Sequence, residues 1–181
     1  VCFLLKKSVL DKDGVARALA GMADEILARD PRAAGLVLVG IRTGGVFLAQ
    51  RLKALLEKRT GRNIPTGVID INLYRDDWTR VAHKPIVGKT ELNFSMDDRR
   101  VLLVDDVLFT GRTVRAAMDA LMDFGRPARI ELAVLVDRGH RELPICSDFK
   151  GLFVETIREQ RVNVYFAEQG DPDEVAVEWA D

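Results

Sequence analysis

The chain has 181 residues, of which 48% are hydrophobic, enough for one domain with a sizeable core and too few for two full domains. Its 27 Lys and Arg balance 28 Asp and Glu to a net charge of −1, which excludes avid nucleic-acid binding by overall charge but leaves room for a local basic face. Two cysteines without paired spacing, Cys2 and Cys146, argue against a disulfide framework or a zinc site and fit a reducing cytoplasm, and no apolar run approaches the ~20 residues that span a bilayer, so no membrane partner is expected.

Along the chain, strand and helix patterns alternate without repeats, low-complexity tracts or an interdomain linker. That alternation predicts an α/β fold, a doubly wound parallel sheet in a single domain spanning residues 1–181. The chain begins at Val1 rather than methionine and lacks a signal-peptide core, which reads as a processed or truncated start. Leu10 to Asp30 reads as a helix with Val15, Leu19, Met22 and Ile26 on one face, stopped before Pro31. Leu36 to Val39 is a short buried strand. The loop that follows, Gly40-Ile41-Arg42-Thr43-Gly44-Gly45, joins a strand's carboxyl end to a helix. Its amides can face a crevice, and its adjacent glycines either admit a close anion or serve as plain turn chemistry. Val46 to Arg59 is a helix with Leu48, Leu52, Leu55 and Leu56 inward, closed by Gly61, and Val68 to Leu73 is the next strand. From Tyr74 to Met96 the chain is polar, with Arg75, Asp76, Asp77, Arg80, His83 and Lys84 and little apolar periodicity. Such a segment is either a flexible lid or a solvated hairpin.

The richest stretch is VLLVDDVLFTGRT, Val101 to Thr113. Val101 to Val104 reads as a buried parallel strand, and Asp105 and Asp106 follow it at the sheet edge where ligands of open α/β sheets sit. Thr110, Gly111, Arg112 and Thr113 then open a helix running to about Phe124, and the free N–H groups at a helix start attract phosphate. Two acceptors able to grip vicinal hydroxyls beside a phosphate nest describe a site for a ribose 5-phosphate. The plainer alternative is helix capping with Thr113 as N-cap, which leaves the second aspartate without a purpose. No Gly-Lys-Ser/Thr loop and no G-x-G-x-x-G after a strand occur, which disfavours the common nucleotide folds. Arg129 to Val136 is the next strand; it delivers Asp137, Arg138, Gly139 and His140 to the same edge, either beside a ligand or as a surface turn satisfied by Glu142. Short strands near Val162 to Phe166 and Val175 to Trp179 end the chain, with Asp-Pro turn chemistry between them.

The Asp105 to Thr113 motif resembles the 5-phosphoribosyl-1-pyrophosphate (PRPP) signature of the type I phosphoribosyltransferases. GIRTGG at Gly40, DINLYRDD at Asp70, LLVDDVLFTGRTVRAAMDAL at Leu102, GRP at Gly125 and LAVLVDRGHRELPI at Leu132 are similar to the pyrimidine operon regulator (PyrR) family. The resemblance implies uracil phosphoribosyltransferase activity, making UMP and pyrophosphate from uracil and PRPP, joined to RNA-dependent attenuation. It assigns catalysis to Asp105 and Asp106, which would also hold Mg2+ through water. Thr110 to Thr113 would bind the 5-phosphate, and Thr43, Gly44, Gly45 and Lys84 the pyrophosphate. Tyr74 to Asp77 would belong to the lid, and Arg138, His140 and the backbone near Val162 would orient the base. The DRGHRELP run disfavours a purine base.

The same resemblance implies a homodimer or dimer of dimers and a pyrimidine-leader mRNA partner met by Arg141 and Thr156. Two departures stand out. The family usually has Thr-Arg-Gly where this chain has Thr43-Gly44-Gly45, which removes a cation from the pyrophosphate neighbourhood. It also commonly has Arg, Lys and Pro where this chain has Cys146, Leu152 and Glu155, which weakens the RNA face. The competing reading is chiefly an RNA-binding attenuator that senses uridine nucleotides.

Overall fold

The computed structural model describes residues 4–72, 74 and 89–180. In chain order its strands and helices are β1 (Leu4–Leu10), α1 (Lys12–Arg29), β2 (Leu36–Ile41), α2 (Gly44–Thr60), β3 (Thr66–Ile69), β4 (Arg100–Leu108), α3 (Arg112–Met122), β5 (Arg129–Asp137), β6 (Phe149–Phe153), β7 (Arg161–Tyr165) and β8 (Glu174–Ala180). Five strands form the central sheet in the order β3-β2-β4-β5-β6, every pairing parallel.

Alternation along the strands sends side chains to two cores. Leu36 and Leu38 of β2, Leu102 and Val104 of β4 and Leu135 of β5 pack under α1 and α2, against Leu19, Met22 and Ile26 and against Leu48, Leu52 and Leu56. Val37, Val39, Leu103 and Val134 face the opposite way, against Val114, Ala117, Ala120 and Leu121 of α3. Helices therefore cover both faces, as the doubly wound reading expects. Leu52 is fully buried, so its truncation to alanine carries the usual core cost of about 2–5 kcal/mol.

After β2 the chain crosses to β3 on one side and then to β4 on the other. That reversal opens a crevice at the carboxyl ends of β2 and β4, where open α/β sheets bind ligands.

The structure departs from the sequence expectations at several boundaries. The terminal strands β7 and β8 do not join the parallel sheet. They pair with β1 in a separate antiparallel sheet of order β1-β8-β7, whose Val162, Val175 and Val177 pack onto the α1 and α2 core. Arg51 of α2 fastens this sheet's turn, bonding Glu168 and Asp173 and lying 5.4 Å from the Phe166 ring centroid. The strand expected over Val68 to Leu73 runs instead from Thr66 to Ile69. Asp70 ends it by accepting the Asn72 N–H at 2.8 Å, an Asx turn, and Leu73 lies outside the described residues.

Candidate active site

Asp105 and Asp106 lie inside β4, not after it, because Val107 and Leu108 continue the ladder with Val136 and Asp137 of β5. Asp105 is 6% exposed; its Oδ1 accepts the Asp106 N–H at 3.0 Å, and Asp106 Oδ1 accepts the Val107 N–H at 2.8 Å. Burial holds the Asp105 carboxyl well above the usual carboxylate range, and the neighbouring Asp106 charge adds to the effect. Burial raises Asp106 as well, against the Val107 N–H that favours its ionised form.

One wall of the crevice is the Thr110 to Thr113 turn, which borders a cavity of about 350 Å³ that Val107, Phe109 and Glu142 also line. The N-cap of α3 is Gly111, with φ of 92° and no side-chain cap, so the alternative of Thr113 as a capping residue is not what the structure builds. Gly111 takes a left-handed conformation that a side chain would strain, and the turn's N–H groups stay at the mouth of the helix. Arg112 Nε donates to Glu142 Oε2 at 2.8 Å, and Arg158 holds the other oxygen. These two guanidiniums keep the Glu142 carboxyl below its usual range. Glu142 is therefore held by Arg112 of the Thr110 to Thr113 turn and by Arg158, and not by Arg138 or His140.

The other wall is the loop from Gly40 to Gly45, whose Arg42–Thr43 peptide is cis. An ideal Cβ on Gly44 would lie 2.2 Å from Asp106 Oδ2, and one on Gly45 would lie 2.1 Å from the Val104 carbonyl. At position 45 only glycine lets this loop rest on the Val104 carbonyl of β4, and at Gly44 the loop's backbone lies against the Asp106 side chain. Thr43, the N-cap of α2, makes no side-chain cap bond. The structure thus brings Thr43, Gly44 and Gly45 to Asp106.

Beyond β5, Arg138 is 5% exposed and stacks its guanidinium 4.1 Å from the Phe109 ring centroid. Its Nη2 donates to the Ile157 carbonyl, its buried Nε makes no hydrogen bond among the described residues, and burial lowers its pKa. His140 sits at φ of 59°, edge-on to Phe109, with Nε2 2.7 Å from the Thr156 carbonyl. Val162 lies in β7 opposite Val177, buried with the core.

Arg141 is turned inward: it pairs with Asp137 at 2.5 Å and donates to the carbonyls of Phe109, Gly139 and Ile145. The Thr156 hydroxyl donates to the Arg138 carbonyl at 3.4 Å. Cys146 and Glu155 are exposed, and Leu152 packs partly on the core. Tyr74 donates its hydroxyl to Asp123 beyond the end of α3, which raises its pKa. Arg75, Asp76, Asp77 and Lys84 lie outside the described residues.

Among the described residues no group of three or more His, Cys, Asp or Glu could hold a metal. The Asp105–Asp106 pair fits a hard cation that takes one or two carboxylates and completes its shell with substrate oxygens and water. Sequence reading missed the Arg112–Glu142–Arg158 bridge, the Phe109 platform and Arg42. The first joins residues far apart in the chain, and no local pattern announces it.

Residues 6–169 match the family model described as phosphoribosyl transferase domain. The chain is 53% identical over 172 residues to the bifunctional protein PyrR of Syntrophobacter fumaroxidans, covering 95% of this chain and 92% of that one. It is 56% identical over 170 residues to the protein of the same name from Geobacter sulfurreducens, covering 94% and 96%. Among solved structures, the hypoxanthine phosphoribosyltransferase of Trypanosoma cruzi superposes with a TM-score of 0.71 at 17% identity, over 94% of this chain and 95% of that one. At such identity the likeness speaks for the fold alone. No described helix is long and apolar enough to cross a membrane.

Proposed function

Because the chain belongs to the phosphoribosyltransferase domain family and to its PyrR members, we propose that it is a uracil phosphoribosyltransferase working in the crevice between β2 and β4. In the reaction N1 of uracil displaces pyrophosphate from C1′ of PRPP and gives UMP. One observation carries the reading: two adjacent carboxylates, Asp105 buried and Asp106 half-buried, lie between two glycine-built turns at the point where the strand order reverses.

Each part has a task set by its chemistry. The Thr110 to Thr113 turn binds the 5-phosphate through N–H groups and the α3 dipole. Thr43 to Gly45 take the pyrophosphate, with Lys84 as a further contact. Asp105 and Asp106 accept hydrogen bonds from the ribose hydroxyls and hold hydrated Mg2+, which supplies neutralisation of the diphosphate when bound. Tyr74 to Asp77 close over the site as part of a lid. Arg138, His140 and the Val162 backbone orient the base. Arg138 stacks on Phe109 at this end of the crevice, and the DRGHRELP run that carries it favours a pyrimidine over a purine by its resemblance to the family. No protein nucleophile is needed; catalysis is positioning and electrostatics.

The relatives' shared name, bifunctional protein, supports a second activity in attenuation of pyrimidine genes through leader mRNA. Here that face is poor in cations. Arg141 is spent on its own loop, and Cys146, Leu152 and Glu155 add none. Each missing phosphate contact flattens the log–log salt dependence by about 0.9, so transferase chemistry leads and uridine-nucleotide sensing by an attenuator comes second. A cytoplasmic, single-domain protein assembling as a homodimer or dimer of dimers completes the proposal.

Steady-state assays with PRPP, Mg2+ and each of uracil, hypoxanthine, guanine and orotate test it. Uracil is the expected substrate by a wide margin. Comparable rates with any of the other three contradict the base assignment.

A further inference from the structure

The loop that would receive the pyrophosphate lacks a cation where the family usually has one: position 44 is a glycine, with its backbone packed against the Asp106 side chain. Negative charge builds on the departing diphosphate, and neutral amides alone answer it weakly compared with a charge-assisted hydrogen bond. The loop from Gly40 to Gly45 contains a single cationic residue, Arg42.

Arg42 is placed to move. Its backbone N–H is fixed to the Ile69 carbonyl at 3.0 Å, which continues the β2–β3 pairing to the residue next to Thr43. Its side chain is 38% exposed and, among the described residues, makes one hydrogen bond, from Nη2 to the Lys89 carbonyl at 3.0 Å. Nε stands 4.0 Å from Asp70 Oδ2, too far for a hydrogen bond, and that buried oxygen has no hydrogen-bond partner among the described residues. The pair is loose, and the guanidinium belongs to the residue just before Thr43 in the chain.

We propose that Arg42 supplies the cationic contact to the diphosphate of PRPP that Gly44 does not provide, with Asp70 as its resting counter-ion. The assignment rests on the phosphoribosyl-transfer reading and names a residue that reading does not use. It separates two ligands. Magnesium pyrophosphate occupies only the Arg42 side of the crevice, whereas UMP occupies the 5-phosphate, ribose and base positions and never reaches Arg42.

Isothermal titration of the full chain with each ligand gives the test. Arg42→Gln should weaken magnesium pyrophosphate about 10- to 100-fold, the scale of one charge-assisted hydrogen bond, and leave UMP affinity unchanged. Arg42→Lys keeps the charge without the fork and should recover part of the loss. Unchanged pyrophosphate affinity in Arg42→Gln, equal losses for both ligands, or a lysine variant as weak as the glutamine one overturns the assignment. Wild-type protein that binds UMP but not magnesium pyrophosphate overturns it alone; protein that binds neither overturns the transferase reading beneath it.

Discussion

Replacing Asp105 with asparagine should make the protein more stable and nearly inactive. Asp105 is 6% exposed and shares its surroundings with a second carboxylate, so its folded-state pKa lies above the ordinary value of 3.8 through burial and the Asp106 charge. A carboxyl whose pKa is raised on folding binds its proton more tightly in the native state. Stability then falls as pH rises from the ordinary value through the raised one, and the penalty is complete only above the raised value. Asparagine removes the charge and keeps an Oδ1 acceptor for the Asp106 N–H. Relieving a site of this kind is worth about 1–2 kcal/mol, or roughly 2–8 °C in Tm for a chain of this size. Thermal denaturation in metal-free buffer should show that gain at pH 7.5 and lose it near pH 3, below the ordinary value, where the carboxyl is mostly protonated in both states. Turnover with uracil and PRPP should fall by about 10²-fold or more, since a group aimed at the reacting ribose is gone. A variant that is less stable at neutral pH, or one that keeps near wild-type turnover, refutes the reasoning.

Gly45→Ala must lift the loop off β4, because the new Cβ would stand 2.1 Å from the Val104 carbonyl; turnover should drop about 10²-fold with the circular dichroism spectrum unchanged, and full activity would remove the link between loop and strand end. Arg51→Ala loses the Glu168 and Asp173 bonds that fasten the small sheet, and after solvent screening about 1 kcal/mol, or 2–4 °C in Tm, is expected by calorimetry. An unchanged Tm would mean that the sheet holds without this clasp. Cys146→Arg with Leu152→Lys should tighten binding to a pyrimidine-leader hairpin and steepen its salt dependence by about 0.9 per new contact, with little effect on catalysis. If the unmodified protein already binds that hairpin at nanomolar concentration in ~0.15 M salt, the attenuator reading takes precedence.

Much of the fold was legible because its signals are local. Val15, Leu19, Met22 and Ile26 mark α1 by spacing alone, and the apolar runs of β2, β4 and β5 announce strands buried on both faces. β1 carried no such signal. It exposes Leu5, Lys6 and Lys7, and its partner β8 lies at the far end of the chain, so the pairing is a tertiary fact. β6 is short and interrupted by Gly151, which is there because a Cβ would come within 2.8 Å of the Leu135 carbonyl.

The site divides the same way. The Asp105–Asp106 pair and the Thr110 to Thr113 turn belong to one stretch of chain and could be read as a unit. The inward course of Arg141 depends on carbonyls of Phe109, Gly139 and Ile145, whose convergence only the folded loop creates. Arg42 was overlooked for a related reason: what makes it notable is its loose approach to Asp70, whose buried Oδ2 has no hydrogen-bond partner among the described residues, and that is a tertiary fact.

A crystal structure with UMP tests the central claim most directly. The account predicts the phosphate on the N–H groups of Thr110 to Thr113, the ribose hydroxyls on Asp105 and Asp106, and the uracil ring beside Arg138 and the Val162 backbone. UMP bound outside the β2–β4 crevice, or lying in it with its phosphate on Thr43 to Gly45, would contradict it.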